Sequence, residues 1–201
     1  MTHPVQTVNW YDCVKWCNAR SEQAGLTPSW TVDGSVYRSG HNDFAVCNFS
    51  GGGYRLPTEA EWEKAARGGL AGNRFAKGNT ISKSQANYHG NPSCIYDLGP
   101  AGFNPGYNDG VAPYTSPVGA FPANGYGLYD MAGNVWEWCW DWYGSYGNLP
   151  ATDPAGPASG SSRILRGGSW SFGASAERVS YRISYNPASG SYISGFRCVR
   201  R

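Results

Sequence analysis

Between residues 71 and 128 the sequence is mostly Gly, Asn, Pro and Tyr, with few periodic apolar runs. So long an irregular stretch is uncommon inside a compact domain and normally needs a staple, such as bound metal or cross-links. The rest of the composition points the same way. The 201 residues include 28 Gly, 9 Trp and 14 Tyr, while only 15% are charged. Many glycines with many aromatics suggest tight turns and short strands rather than long helices. Disordered chains are aromatic-poor and charge-rich, so disorder is not expected.

The length suits a single domain over residues 1–201 with a proper core, and hardly suits two. No internal repeat or interdomain linker is visible. A net charge of +2 predicts no strong attraction to nucleic acid or acidic membranes. No apolar run approaches a membrane span, so direct membrane insertion is not expected. The opening residues, Met1 to Val5, carry neither a basic region nor an apolar stretch, and no secretion signal is read there. The six cysteines are too few for a disulfide-dense scaffold, and no C-x-x-C pair occurs. His3, His41 and His89 are scattered without ligand spacing, which counts against a histidine-based metal centre.

Two segments read as helices. The first spans about Asn9 to Gln23, with Val14, Cys17 and Trp10 toward one face and Gly25 as a stop. Cys13 fits there as a small buried apolar residue. The second begins after Thr58, which with Glu61 forms a capping box. Trp62, Ala65 and Ala66 give it an apolar stripe, and Gly68-Gly69 end it. Residues 26–53 read as a short hairpin or a decorated loop. Residues 133–143 alternate aromatic and polar groups like a half-buried strand, and 163–170 and 195–199 read as the final strands of a sheet.

Five stretches in fixed order then carry a signature. They are His3-Pro4-Val5 with Val8, Trp10 and Asp12; Tyr54 to Glu63; Asn124 to Trp138; Leu165-Arg166-Gly167-Gly168-Ser169-Trp170; and Gly195-Phe196-Arg197-Cys198. Together they resemble the formylglycine-generating-enzyme, or sulfatase-modifying-factor, family over nearly the whole chain. The fold this resemblance implies is α+β: an irregular variant of the C-type lectin fold with a small twisted antiparallel sheet, two helices and long loops. It also implies structural calcium as the staple. One position falls on the Asn87 side chain, the Tyr88 carbonyl, Asp109 and the Val111 carbonyl. A second falls on Asp130, the Gly133 and Val135 carbonyls, and Glu137. All-oxygen shells of this kind suit a hard cation. A disulfide between Cys17 and Cys198 is implied as well, and forms only in an oxidising compartment.

The resemblance argues against catalysis here. The family's oxidases hold copper between two thiolates, and the matching positions are Phe172 and Glu177. Neither side chain replaces a soft thiolate for Cu(I), so no copper is expected and the chain reads as non-enzymatic. The alternative is a formylglycine-generating-type oxidase acting on a cysteine-containing protein, with Cys94 and Cys139 relocated as the pair. Histidine-ligated iron, as in the related sulfoxide synthases, has no matching histidines, and no Gly-x-Ser-x-Gly elbow supports a hydrolase.

The segment at about 170–195 has another character. Tyr, Ser, Gly and Asn dominate it, with Phe and Ile, as in antibody paratopes, where rigid rings give contact area and small polar groups adapt. It resembles the variable segment of the variable proteins of diversity-generating retroelements. Arg166, Gly167, Gly168, Trp170, Arg178, Arg182, Pro187 and Phe196 read as framework. The expected contact residues between them are Ser171, Phe172, Gly173, Ser175, Tyr181, Ile183, Tyr185, Asn186, Ser191, Tyr192 and Ser194. The expected partner is a protein or surface polymer, met at the cell surface or outside it by a monomeric chain.

Overall fold

The computed structural model describes residues 2–147 and 151–200. Helix α1 (Trp10–Gln23) starts where Asn9 caps it: the Asn9 side chain accepts the Asp12 amide, and Asp12 returns the bond to the Asn9 amide. Trp10, Cys13, Val14 and Cys17 on its inner face have no exposed surface. Helix α2 (Glu59–Arg67) has the expected capping box between Thr58 and Glu61, and stops at Gly68 in the left-handed region. Residues 26–53 form neither a hairpin alone nor a bare loop. They form a three-stranded antiparallel sheet of β1 (Trp30–Val32), β2 (Ser35–Val36) and β3 (Val46–Cys47), in the order β2-β1-β3.

The main sheet is built from β4 (Trp136–Trp142), β5 (Arg163–Arg166), β6 (Arg182–Tyr185) and β7 (Ser194–Gly195), in the order β6-β5-β4-β7. Three features depart from expectation. The pair β4–β7 is parallel, although β4–β5 and β5–β6 are antiparallel. A strand, β6, lies inside the segment read only as a contact surface. And β4 is not half-buried: six of its seven residues are buried, because elements pack on both of its faces. Trp136, Trp138 and Leu165 join the cluster that contains α1. Cys139 and Ile164 join Trp62 and Ala66 of α2 on the other side.

The acidic residues of β4 survive burial through specific partners. Glu137 accepts the Trp62 indole N–H at 2.7 Å and takes both prongs of Arg197, at 2.5 and 2.6 Å. Asp141 accepts the Glu59 amide at 2.6 Å, so it satisfies one of the free donors at the start of α2. Burial pushes its pKa up to about 6.

Strand β5 places a guanidinium on each face. Arg163, fully buried, stacks between Trp10 at 3.8 Å and Trp142 at 3.4 Å and donates to the Trp140 carbonyl. Arg166, also fully buried, pairs with Glu63, lies 3.5 Å from Glu59, and donates to the carbonyls of Tyr181 (2.5 Å) and Val179 (2.8 Å). Arg182 reaches Glu59 at 2.8 Å from the next strand.

All six cysteines are free. The Cys17–Cys198 bond is therefore not formed in this structure; Cys17 is buried in the α1 cluster, and Cys47 and Cys198 pack in the same cluster. Among the described residues no helix is long and apolar enough to cross a membrane.

Removing one member of a buried charge pair strands its partners. Arg166→Met is expected to cost about 3 kcal/mol, read as a shift in denaturant midpoint with unchanged slope. A loss under about 1 kcal/mol would mean that the network does not hold α2 to the sheet.

Candidate binding face

The segment after β5 is aimed by two glycines. Gly167 and Gly168 have φ of 96° and 76°, a region that side-chain-bearing residues avoid. A Cβ on Gly168 would also collide with the Glu177 carboxylate. The turn delivers Trp170, whose amide bonds the Asn134 carbonyl at 3.0 Å. Phe172 follows, and its carbonyl accepts the His89 amide at 2.9 Å. The chain then passes through Ala174 to Val179, largely buried, into β6, and returns along residues 186–193. That return is pinned three times: Trp10 N to Pro187 O at 3.0 Å, Thr7 N to Ser191 O at 2.9 Å, and Trp136 N to Ile193 O at 2.7 Å.

The period of two along β6 sorts its side chains. The cross-strand partners of Ile183 and Tyr185 are Leu165 and Arg163, on the α1 side. Those of Arg182 and Ser184 are Arg166 and Ile164, on the α2 side. The strand thus turns Arg182 toward α2 and sets Ile183 and Tyr185, half-buried, against the α1 cluster, while Ser184 is its exposed residue.

Beneath the contact positions lies a tryptophan floor. Phe172 meets Trp136 edge-on at 5.4 Å, and Tyr181 lies 6.1 Å from the same ring. Tyr185 rests 5.8 Å from Trp138, and Tyr192 lies 5.9 Å from Trp170. Such pairs contribute about 0.5–1.5 kcal/mol each beyond area burial. Their upper rings stay open: Phe172 is 37% and Tyr192 54% exposed. Ser171, Ser175 and Asn186 are exposed, and Gly173, Tyr181, Ile183, Tyr185 and Ser191 are half-buried. Ser194 is the exception. It is fully buried in β7, with its hydroxyl on the Ser191 carbonyl at 3.2 Å, and is removed from the set of contact residues.

The irregular stretch adds residues that sequence reasoning missed. Phe103 lies 4.8 Å from both His89 and Tyr114, and Phe103 and Tyr114 lie 5.6 and 5.1 Å from Trp170. These rings extend the floor on the Tyr192 side. No periodicity marks them; only their aromatic character among glycines and asparagines does. The indole N–H groups of Trp136 and Trp170 are buried without a hydrogen-bond partner among the described residues.

Phe172 and Glu177, expected from the resemblance at the family's thiol positions, sit in different surroundings. Phe172 belongs to the exposed face. Glu177 is buried against Gly168, with the Ser169 and Gly133 amides turned toward it but no well-aligned bond closed. Desolvation drives its pKa well above the usual carboxylate range, against the pull of those amides and of Lys83.

The expected cation positions are built largely from backbone. Among the described residues no three His, Cys, Asp or Glu side chains converge as a metal site. At the second position Asp130 adopts φ 54° and Gly133 φ 75°, and a Cβ on Gly133 would strike the Asn87 carbonyl. One Asp130 oxygen accepts the Gly119 amide at 2.7 Å, while the other is buried and unpartnered. Burial raises the Asp130 pKa. At the first position Asn87 and Tyr88 are buried, but Asp109 and Val111 are exposed.

A family model described as the sulfatase-modifying factor enzyme 1-like domain matches residues 1–201. A formylglycine-generating enzyme from Streptomyces coelicolor is 45% identical over 152 residues, covering 73% of this chain and 46% of its own. A serine/threonine-protein kinase, pkn1, from Chlamydia caviae is 42% identical over 152 residues, covering 74% of this chain and 21% of its own. The chain thus spans half or less of these two relatives. Among solved structures, Treponema denticola variable protein 1 superposes with a TM-score of 0.80 at 34% identity, over 100% of this chain and 72% of that one.

A carboxyl held neutral by burial favours folding below the ordinary carboxylate range, and that advantage is lost as pH rises through its elevated folded-state pKa. Glu177→Gln removes the ionisable group and keeps the shape. Its melting temperature relative to the parent is expected to rise steadily from pH 5 to pH 9; a pH-independent difference would show that Glu177 is ionised in the fold.

Proposed function

Because the chain belongs to the sulfatase-modifying factor enzyme 1-like family, we propose that it uses that scaffold for binding rather than catalysis, presenting residues 171–192 as an exchangeable recognition surface. The observation that carries this reading is the sorting of the segment. Phe172 and Tyr192 lie exposed, and Tyr181, Ile183 and Tyr185 half-buried, over Trp136, Trp138, Leu165 and Trp170, while the intervening Arg182 is tied to Glu59. Side chains above such a floor can change without disturbing the bonds below it. The likeness to a variable protein supports the same reading, and we extend it to diversification by a retroelement.

The partner suited to this face is a protein or surface polymer recognised through aromatic area and neutral hydrogen bonds. Recognition takes place at the cell exterior. The oxidase reading needs two convergent soft ligands. Here Phe172 and Glu177 stand at the family's thiol positions, one exposed and one buried. Cys139 is wholly buried and Cys94 packs in a different cluster. A single calcium ion is proposed as structural support at Asp130, with the Gly133 and Val135 carbonyls. The orphaned Asp130 oxygen fits such a hard cation. Glu137 would contribute from beside its Arg197 pair.

Three measurements test this. A library randomised together at Ser171, Phe172, Tyr181, Ile183, Tyr185 and Tyr192 should keep most members folded, with melting temperatures within about 5 °C of the parent. It should also yield binders to an immobilised probe such as maltose-binding protein; general unfolding of the library would sink the reading. Oxygen consumption with Cu(I) and a cysteine-containing sulfatase peptide should stay at background, and turnover would reinstate the oxidase. Calcium should raise the melting temperature of the metal-stripped chain, and Asp130→Asn should abolish that rise; an equal rise in both would place the ion elsewhere.

A further inference from the structure

Lys83 is a cation already resident in the irregular stretch. Its stem runs alongside two glycines that leave room for it: a Cβ on Gly99 would lie 3.1 Å from its Cγ, and one on Gly90 3.0 Å from its Cε. The ammonium donates to the Tyr88 carbonyl and, at 2.6 Å, to the Gly102 carbonyl, and stands 4.6 Å from the centre of the Tyr88 ring. The carbonyls it bridges belong to neighbouring turns of chain. Gly90 and Gly102 exchange amide bonds at 2.7 and 3.0 Å, and Asp97 closes the enclosed loop by accepting the Tyr88 hydroxyl and the amides of Asn91 (2.7 Å) and Gly99 (2.9 Å).

We propose that Lys83 takes the place of a divalent ion in this loop, and that the position expected at Asn87, Tyr88, Asp109 and Val111 binds no calcium. The donor set there does not fit. The Tyr88 carbonyl is already capped by a positive charge, and a second cation on the same oxygen would be strongly repelled. The Asn87 carboxamide spends its Nδ2 on the Tyr114 carbonyl at 2.7 Å, so it offers a cation only one neutral oxygen. Asp109 is the position's one carboxylate; it lies on an exposed turn, accepting the Val111 amide at 3.0 Å, and Val111 itself is 73% exposed. Calcium takes six to eight oxygens, waters among them, whereas an ammonium is satisfied by two carbonyls and a ring face. The loop is thus stapled from within, without metal at this point.

The proposal stands apart from the binding face, and its readouts do not involve a partner. Calcium is titrated into the metal-stripped full chain by calorimetry, for the parent, Asp109→Asn and Lys83→Met. Parent and Asp109→Asn should show the same calcium stoichiometry and the same calcium-dependent melting shift. Loss of one bound ion in Asp109→Asn would overturn the proposal. Lys83→Met should lower the melting temperature by at least about 4 °C, with or without calcium, and speed amide exchange within residues 88–102. A Lys83→Met chain with parental stability and exchange would also overturn it. Should Lys83→Met fail to fold, the Asp109→Asn comparison still decides, because it leaves Lys83 and its carbonyls intact.

Discussion

The buried guanidinium of Arg166 is the interaction on which the exposed end of the protein depends. A charge taken out of water must be met on every side, and here the groups that meet it come from three separate places. Glu59 and Glu63 come from α2, the Val179 carbonyl from the turn before β6, and the Tyr181 carbonyl from its threshold. Satisfying one cation therefore fixes a helix, a strand and the approach to the contact surface relative to one another. Arg163, three residues earlier, performs the complementary task on the α1 side through flat rings rather than carboxylates. Two arginines on a four-residue strand lock both layers to the sheet.

Much of this architecture was legible in the chain. Both helices announce themselves through reciprocal caps, Asn9 with Asp12 and Thr58 with Glu61, which act over a few residues and need no tertiary context. The alternation in β4 was legible as a strand and misleading as to depth. Glu137 and Asp141 look solvent-facing until Arg197, Trp62 and the first amide of α2 are brought to them from distant parts of the sequence. The parallel pairing of β7 depends on the return path through Pro187, Ser191 and Ile193, which no local pattern encodes.

The proposed contact surface draws its chemistry from the sequence and its extent from the fold. Tyr, Ser and Asn between arginines marked the segment proposed for contact, and the alternation of Arg182 with Ile183 and Tyr185 was present all along as a strand pattern masked by its composition. Ser194 has the same chemistry as Ser171, yet pairing with β4 buries it. Phe103 and Tyr114, which reach Trp170, and His89, which reaches Phe103, could not be found, because they sit on irregular backbone whose course is set by long-range bonds.

The alternation in β6 carries a consequence for how such a segment can change over generations. Even if its letters vary as proposed, its spacing cannot, because the register with β5 fixes which side each residue faces. One residue inserted or deleted between Arg182 and Tyr185 would turn Ile183 or Tyr185 toward Glu59 and drag a guanidinium onto the tryptophans. Substitution at Ile183 or Tyr185 leaves the Arg182 hold on α2 in place; a single frame-preserving indel exchanges the two sides. Variation here is compatible with the fold only as replacement at constant length.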